Sequence, residues 1–305
     1  MKITGKYKLI SIITLILAAI IIYSCKTQFA TAPANFKATY TEDAVERGKV
    51  LVFSSCAGCH YDRSVNKLIG THIEDVPAIV GEVYSANLTQ SKTHGLPPQY
   101  TDAQLKYLLK TGINKDGRFI PYMLRPNMAD EDVNAIIAYL RSNDPAVAAD
   151  DHINGLTHYN IIGKIYMSAT AKPLPYNPGM KLPTDKVALG KYLVDNLGCF
   201  HCHSQSLQKL NYLDIEQSKG YMAGGIKFKD NKGNTVIASN ITADKNTGIG
   251  SFTQTQFLRA VKDGEAPDRK LHPPMPKFDR LSDKEIDAIY SYLITLPAQS
   301  HNVKG

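Results

Sequence analysis

Cys56-Ala57-Gly58-Cys59-His60 and Cys199-Phe200-His201-Cys202-His203 are two copies of Cys-x-x-Cys-His, one in each half of a 305-residue chain. Two thiols at this spacing, with an imidazole next in line, suit the attachment of c-type haem, in which each thiol adds to one vinyl group of the porphyrin. The histidine then lies under the iron as its proximal ligand. Three fixed points of one rigid ring must be reached at once, so the spacing is demanding. A bare Cys-x-x-Cys also suits a zinc half-site or a redox pair, but the trailing histidine, present twice, fits neither well. The expectation is two covalently bound haem c groups, on Cys56, Cys59 and His60 and on Cys199, Cys202 and His203.

Working outward, the flanking sequence repeats in the same order. Glu46-Arg47-Gly48-Lys49-Val50-Leu51-Val52 precedes the first motif and Ala188-Leu189-Gly190-Lys191-Tyr192-Leu193-Val194 the second. Ser85-Ala86-Asn87-Leu88-Thr89 parallels Ala238-Ser239-Asn240-Ile241-Thr242, and Tyr100-Thr101-Asp102-Ala103-Gln104-Leu105 parallels Phe252-Thr253-Gln254-Thr255-Gln256-Phe257. Residues 129–140 then parallel 282–293. A duplicated domain follows, each copy of a size normal for one compact unit. The expected organisation is 1–25 leader, 36–147 first domain, 148–182 linker, 183–298 second domain and 299–305 tail.

The secondary-structure signals are helical, and the expected fold class is all-α. Thr101 with Gln104, Thr253 with Gln256 and Ser282 with Glu285 each read as a capping box. Behind them Leu105, Leu108 and Leu109 share one helical face, as do Ile286, Ile289, Tyr290 and Leu293. No alternating apolar run is long enough to argue for a sheet. Residues 148–182 match neither copy. Pro173, Pro175, Pro178 and Gly179, with Pro183 just beyond, suit an extended, Pro-rich linker. Ile161-Ile162-Gly163-Lys164-Ile165-Tyr166-Met167 is too apolar to be wholly solvated, so it is expected to pack on a domain or cover the cleft between domains.

Of five cysteines the motifs use four, and the fifth, Cys25, ends a leader. Lys2, Lys6 and Lys8 followed by the apolar stretch 9–23 make a secretory signal or a membrane anchor. Ile22-Tyr23-Ser24-Cys25 resembles a bacterial lipobox, with Cys25 as the lipidated residue, although Tyr23 is bulky for that pattern. The alternative is an uncleaved signal anchor. Either reading places the remainder outside the cytoplasm, on the periplasmic side and tethered to a membrane. Loss of residues 1–24 lowers the formal charge from +7 to +4. No basic run with interleaved aromatics accompanies it, so a nucleic-acid partner is not expected.

The sixth ligand decides between a closed carrier and an open, reactive iron. Met123, in Phe119-Ile120-Pro121-Tyr122-Met123, and Met275, in His272-Pro273-Pro274-Met275-Pro276, occupy matching places ahead of the last helix of each copy. Met128 competes with Met123 but aligns with Leu281, a core position. His72, His94 and His272 are competing imidazoles whose simpler reading is an exposed side chain. Asn87-Leu88-Thr89 and Asn240-Ile241-Thr242 match the N-glycosylation sequon. Their place in the repeat instead suggests a loop over the haem, its amide and hydroxyl bonding backbone or propionate. Arg118 and Arg269 are candidates for pairing with propionates.

Each half resembles a class I cytochrome c domain, and the tandem resembles dihaem cytochromes c and the cytochrome subunits of membrane-bound alcohol and gluconate dehydrogenases. The residues carrying this are both Cys-x-x-Cys-His motifs, Asn240-Ile241-Thr242, Thr247-Gly248-Ile249-Gly250, Pro274-Met275-Pro276 and 281–285. Those subunits typically carry three haem motifs, and this chain has two. The resemblance implies electron relay between a membrane-associated donor and acceptor, such as a dehydrogenase or oxidase complex. It also implies His60 and Met123 on one iron, and His203 and Met275 on the other. The expected role is thus a membrane-tethered electron carrier rather than an enzyme. The rival is a dihaem cytochrome c peroxidase with one haem that opens to peroxide, against which two similarly placed methionines argue.

Overall fold

Thr41 starts helix α1 (Glu42–Leu51) by accepting a hydrogen bond from the Ala44 N–H, and Glu42 and Asp43 occupy its first turn, where the helix dipole favours anions. The computed structural model describes residues 28–31, 36–74, 76, 78–212, 214–230 and 233–303, with 11, 12 and 14 in the leader. Cys25 and nearly all of the leader therefore lie outside the described residues. Among the described residues no helix is long and apolar enough to cross a membrane.

From α1 the chain enters a π-helical turn (Val52–Cys56) and the short helix α2 (Ala57–His60), so the first attachment motif lies on a continuous helical run. Helices α3 (Leu96–Gln99) and α4 (Asp102–Thr111) follow, the second started by the Thr101–Gln104 capping box and stopped by Gly112 in the left-handed region. Helix α5 (Asp130–Leu140) returns across α1. The crossing is close because Gly48 has no side chain. A Cβ there would lie 1.9 Å from the Ala135 carbonyl oxygen and 2.7 Å from the Tyr139 Cβ. Val52, Leu68, Val133, Ile136 and Ile137 fill the interior around it.

The later elements make matching contacts. Helix α6 (Ile161–Thr170) precedes α7 (Lys186–Leu197), which is capped by Asp185 and stopped by Gly198 at φ 79°. Helix α8 (Cys199–His203) carries the second motif, and α9 (Gln254–Asp263) and α10 (Asp283–Thr295) each start with a complete capping box. Helix α7 packs on α10, where a Cβ on Gly190 would lie 1.9 Å from the Ala288 carbonyl oxygen and 2.8 Å from the Tyr292 Cβ. The molecule is mostly helical. It also holds two antiparallel ribbons, β1 (Gly81–Glu82) on β2 (His158–Tyr159) and β3 (Lys227–Lys229) on β4 (Thr235–Ile237). Strands this short cannot show an alternating pattern, which is why the sequence did not announce them.

Residues 148–182 are not extended throughout. They contain β2, which pairs with the first half, and α6, whose Gly163 packs against the Val80 carbonyl. Ile161, Ile162, Ile165 and Tyr166 nevertheless stay exposed. Further on, Gly179 N–H donates to Asp130 and Leu182 N–H to Glu131, fastening this segment to α5.

The two halves meet along a polar seam. Arg47 on α1 grips Asp132 on α5 with two bonds of 2.8 and 3.1 Å and also reaches Glu285 on α10. Tyr192 on α7 donates to Asp132 at 2.6 Å and accepts from the Ala129 N–H at 3.1 Å. Arg280 stacks over the Phe53 ring, 4.6 Å from its centroid.

Candidate functional site

Both motifs open onto one continuous cavity of about 2920 Å³, lined mainly by apolar side chains. His60 is only 6% exposed, and its Nδ1 lies 2.8 Å from the Ala86 carbonyl oxygen. His203 is 8% exposed, with Nδ1 2.7 Å from the Ser239 carbonyl. A carbonyl only accepts, so each Nδ1 must carry the proton and each Nε2 keeps its lone pair for a ligand. Burial pushes both imidazole pKa values down, partly opposed by these backbone bonds, and so keeps the rings neutral.

The carbonyls that hold the histidines belong to the residues just before the two Asn-x-Thr segments, which explains why those segments recur. The Asn87 Oδ1 accepts from the Thr89 N–H at 2.8 Å and hydroxyl at 2.7 Å, while its amide donates to the Asp150 carbonyl. The Asn240 Oδ1 accepts from the Thr242 N–H at 2.9 Å and hydroxyl at 2.8 Å, and its amide donates to the Gln299 carbonyl. Each asparagine is buried and fully occupied in fixing the loop, so neither presents a glycosylation site. Of the bonding expected with backbone or propionate, the amides take backbone carbonyls, while each hydroxyl donates to the asparagine beside it.

Cys56, Cys59, Cys199 and Cys202 form no disulfide. Burial pushes the Cys56 thiol up to about 11, against the opposing pull of the Arg125 charge, and the Cys199 thiol up to about 12. Among the described residues no group of three His, Cys, Asp or Glu side chains is placed to hold a metal ion. Each motif instead offers the buried imidazole that ends it, His60 or His203, beside two thiols at the wall of an apolar cavity. That donor set fits a covalently attached haem and not a chelated zinc ion.

Met123 ends the 3₁₀ turn Pro121–Met123, partly buried against the first core and lining the cavity. Met275 lines it too, with its N–H on the His272 carbonyl at 3.2 Å. Met128 also faces the cavity wall but is 2% exposed and belongs to the first core. Met222 is fully buried outside the cavity lining. His72, His94 and His272 are exposed. His201 is wedged between Phe200 and Tyr212, with Nδ1 3.0 Å from the Gly198 carbonyl and Nε2 buried without a partner. Arg118 is an exposed part of the lining, whereas Arg269 pairs with Asp268 and donates to the Ser239 hydroxyl.

Sequence reasoning missed Ser55, Arg125 and Asn196. The Ser55 hydroxyl and the Arg125 Nε each donate to the Asn196 carbonyl at 3.0 Å. No motif marks them, because their partners lie 141 and 71 residues away.

Paired thiols beside a buried imidazole in each half, on the wall of one apolar cavity, suit a haem-binding chain. Residues 45–144 match the family model described as Cytochrome c, so the chain contains a cytochrome c domain, a family with covalently bound haem. The fructose dehydrogenase cytochrome subunit of Gluconobacter japonicus is 30% identical over 277 residues, covering 85% of this chain and 54% of that protein. The cytochrome c subunit of the quinone alcohol dehydrogenase of Gluconobacter oxydans is 33% identical over 108 residues, 34% of this chain and 20% of that protein. The gluconate 2-dehydrogenase cytochrome c subunit of Pantoea cypripedii is 32% identical over 111 residues, 35% of this chain and 22% of that protein. The chain thus spans about half the length of the first relative and about a fifth of the other two.

Proposed function

We propose that this chain is a dihaem c-type cytochrome built from two tandem class I cytochrome c domains, 36–147 and 183–298. It relays electrons from a membrane-associated dehydrogenase to a further redox partner. The observation that carries the reading is the repetition of one site. In each half a buried histidine donates Nδ1–H to the carbonyl before an Asn-x-Thr turn, at 2.8 and 2.7 Å. Cys56 and Cys59 would anchor one haem and Cys199 and Cys202 the other, with His60 and His203 as proximal ligands. Met123 and Met275 would supply the opposite thioethers.

Bound haem supplies one-electron chemistry between ferric and ferrous iron, and the protein has no bond to make or break. Its residues hold the ligands still, so that little rearranges when the charge changes. The buried imidazoles and the apolar lining exclude water, which disfavours the more highly charged ferric state. The names of the relatives support a dehydrogenase as donor. The leader would export the chain to the periplasmic side of a bacterial envelope and tether it there, by lipid on Cys25 or as an uncleaved anchor.

The decisive experiment is the visible spectrum of the purified protein, oxidised and reduced, with covalent haem counted per chain and carbon monoxide added. Two low-spin haems indifferent to carbon monoxide are expected. Binding at one of the two would overturn the carrier reading in favour of a peroxidase. For the tether, Cys25→Ser is expected to release the protein from the membrane fraction, and retention would identify the uncleaved anchor.

A further inference from the structure

We propose that Arg125 is the residue that positions the two haem sites against each other and raises the potential of both. This rests on the two-haem reading above. Arg125 lies two residues beyond Met123, and its guanidinium crosses to the other half of the molecule. Nε donates to the Asn196 carbonyl at 3.0 Å, and Nη1 donates to the carbonyls of Tyr122 at 3.1 Å and Leu124 at 2.8 Å. A Cβ on Gly198 would lie 3.7 Å from Nη2, so the cation sits against the backbone that leads directly into Cys199. It also lines the cavity onto which Cys56 and Cys59 open. Arg125 therefore links the cavity wall shared with the first attachment cysteines to the backbone that leads into the second attachment helix.

Two features set it apart from an ordinary seam contact. First, its bonds go to neutral carbonyls, and among the described residues it has no ion pair with a carboxylate. The charge is thus held in place without being neutralised. Second, Asn196 is in the last turn of α7, where carbonyls lack partners inside the helix and the dipole is negative. Arg125 and Ser55, the neighbour of Cys56, together satisfy that one carbonyl. A chain of contacts thereby joins the first motif to the helix end that launches the second. A fixed cation in partly buried surroundings favours the less positive, reduced iron, so its removal lowers both potentials. Lysine keeps the charge but loses the planar fork that reaches three carbonyls.

The test is a spectroelectrochemical titration of haem-loaded wild type, Arg125→Gln, Arg125→Lys and Ser55→Ala, with covalent haem counted in each. Arg125→Gln is expected to make reduction of each haem at least tenfold less favourable, about 59 mV for a one-electron step. Arg125→Lys is expected to keep both reduction equilibria within threefold of wild type. Ser55→Ala, which loosens the same carbonyl but keeps the charge, is expected to leave both unchanged. Less than a twofold change in Arg125→Gln, a shift confined to one haem, or equal shifts in Gln and Lys variants would each overturn the assignment. If Arg125→Gln takes up no haem, the Lys variant decides, because reduction of both haems made tenfold less favourable with charge retained excludes an electrostatic role. One haem per wild-type chain would instead remove the two-haem reading, and this proposal with it.

Discussion

The two halves carry the same ion pair at corresponding positions, yet in different surroundings. In the first, Lys110 is completely buried and lies 2.9 Å from Asp130, which Lys106 also reaches at 2.9 Å. In the second, Lys262 lies 2.6 Å from Asp283, whose side chain is 68% exposed, and Leu258 stands where Lys106 would be. A buried cation that loses its partner is left uncompensated in a poorly polar interior, whereas an exposed one returns to water. One chemical motif is thus expected to be a structural necessity in one half and nearly indifferent in the other. Burial, more than residue type, decides between the two.

The sharpest way to break that contrast is to delete both carboxylates. Asp130→Asn should destabilise the haem-loaded protein by about 4 kcal/mol, as read by chemical denaturation. The same variant should flatten its acid limb. Burial raises the Asp130 pKa, but bonds from Lys106, the Gly179 N–H and Lys110 outweigh it and hold the group at about 2. A depressed carboxylate contributes stability that is complete above its ordinary value near 3.8 and is lost as pH falls towards 2. Wild type should therefore lose stability across that window, and Asp130→Asn should lose less.

Where the halves agree, substitutions should cost the same. Gly48→Ala and Gly190→Ala each force a Cβ against a carbonyl and are expected to cost about 3 kcal/mol apiece, with melting temperatures lowered to a similar degree. A clear inequality would show that the two helix crossings are not equivalent. Ser282→Ala, which opens the capping box of α10, should cost about 1 kcal/mol. The first half has Ala129 at that place and no side-chain cap, so it has nothing comparable to lose. Asp283→Asn should fall below about 1 kcal/mol. A cost near that of Asp130→Asn would mean that exposure is the wrong explanation.

Much of the helical layout was legible because it is written in local chemistry. Thr101 with Gln104, Thr253 with Gln256 and Ser282 with Glu285 are all formed as capping boxes, since each needs only four consecutive residues. The Asn-x-Thr turns were recognisable as loops over the site, although the task of their preceding carbonyls was not. Helix α6 escaped notice because prolines on its C-terminal side dominate the composition of 148–182. Arg47, Arg125 and Asn196 were illegible for a different reason. Arg47 meets Glu285 across 238 residues, and no periodicity or spacing encodes a meeting of that range.

Arg47 has one more consequence. Asp132 and Glu285 occupy matching positions in the repeated sequence of the two halves, so a single guanidinium holds both, while its counterpart on α7 is the apolar Leu189. Tyr192 ties the same cluster from the other side. Neither half can then open without stripping charged partners from its neighbour. Heating should accordingly produce one calorimetric peak whose van't Hoff enthalpy matches the enthalpy of the whole chain, as for a single cooperative unit.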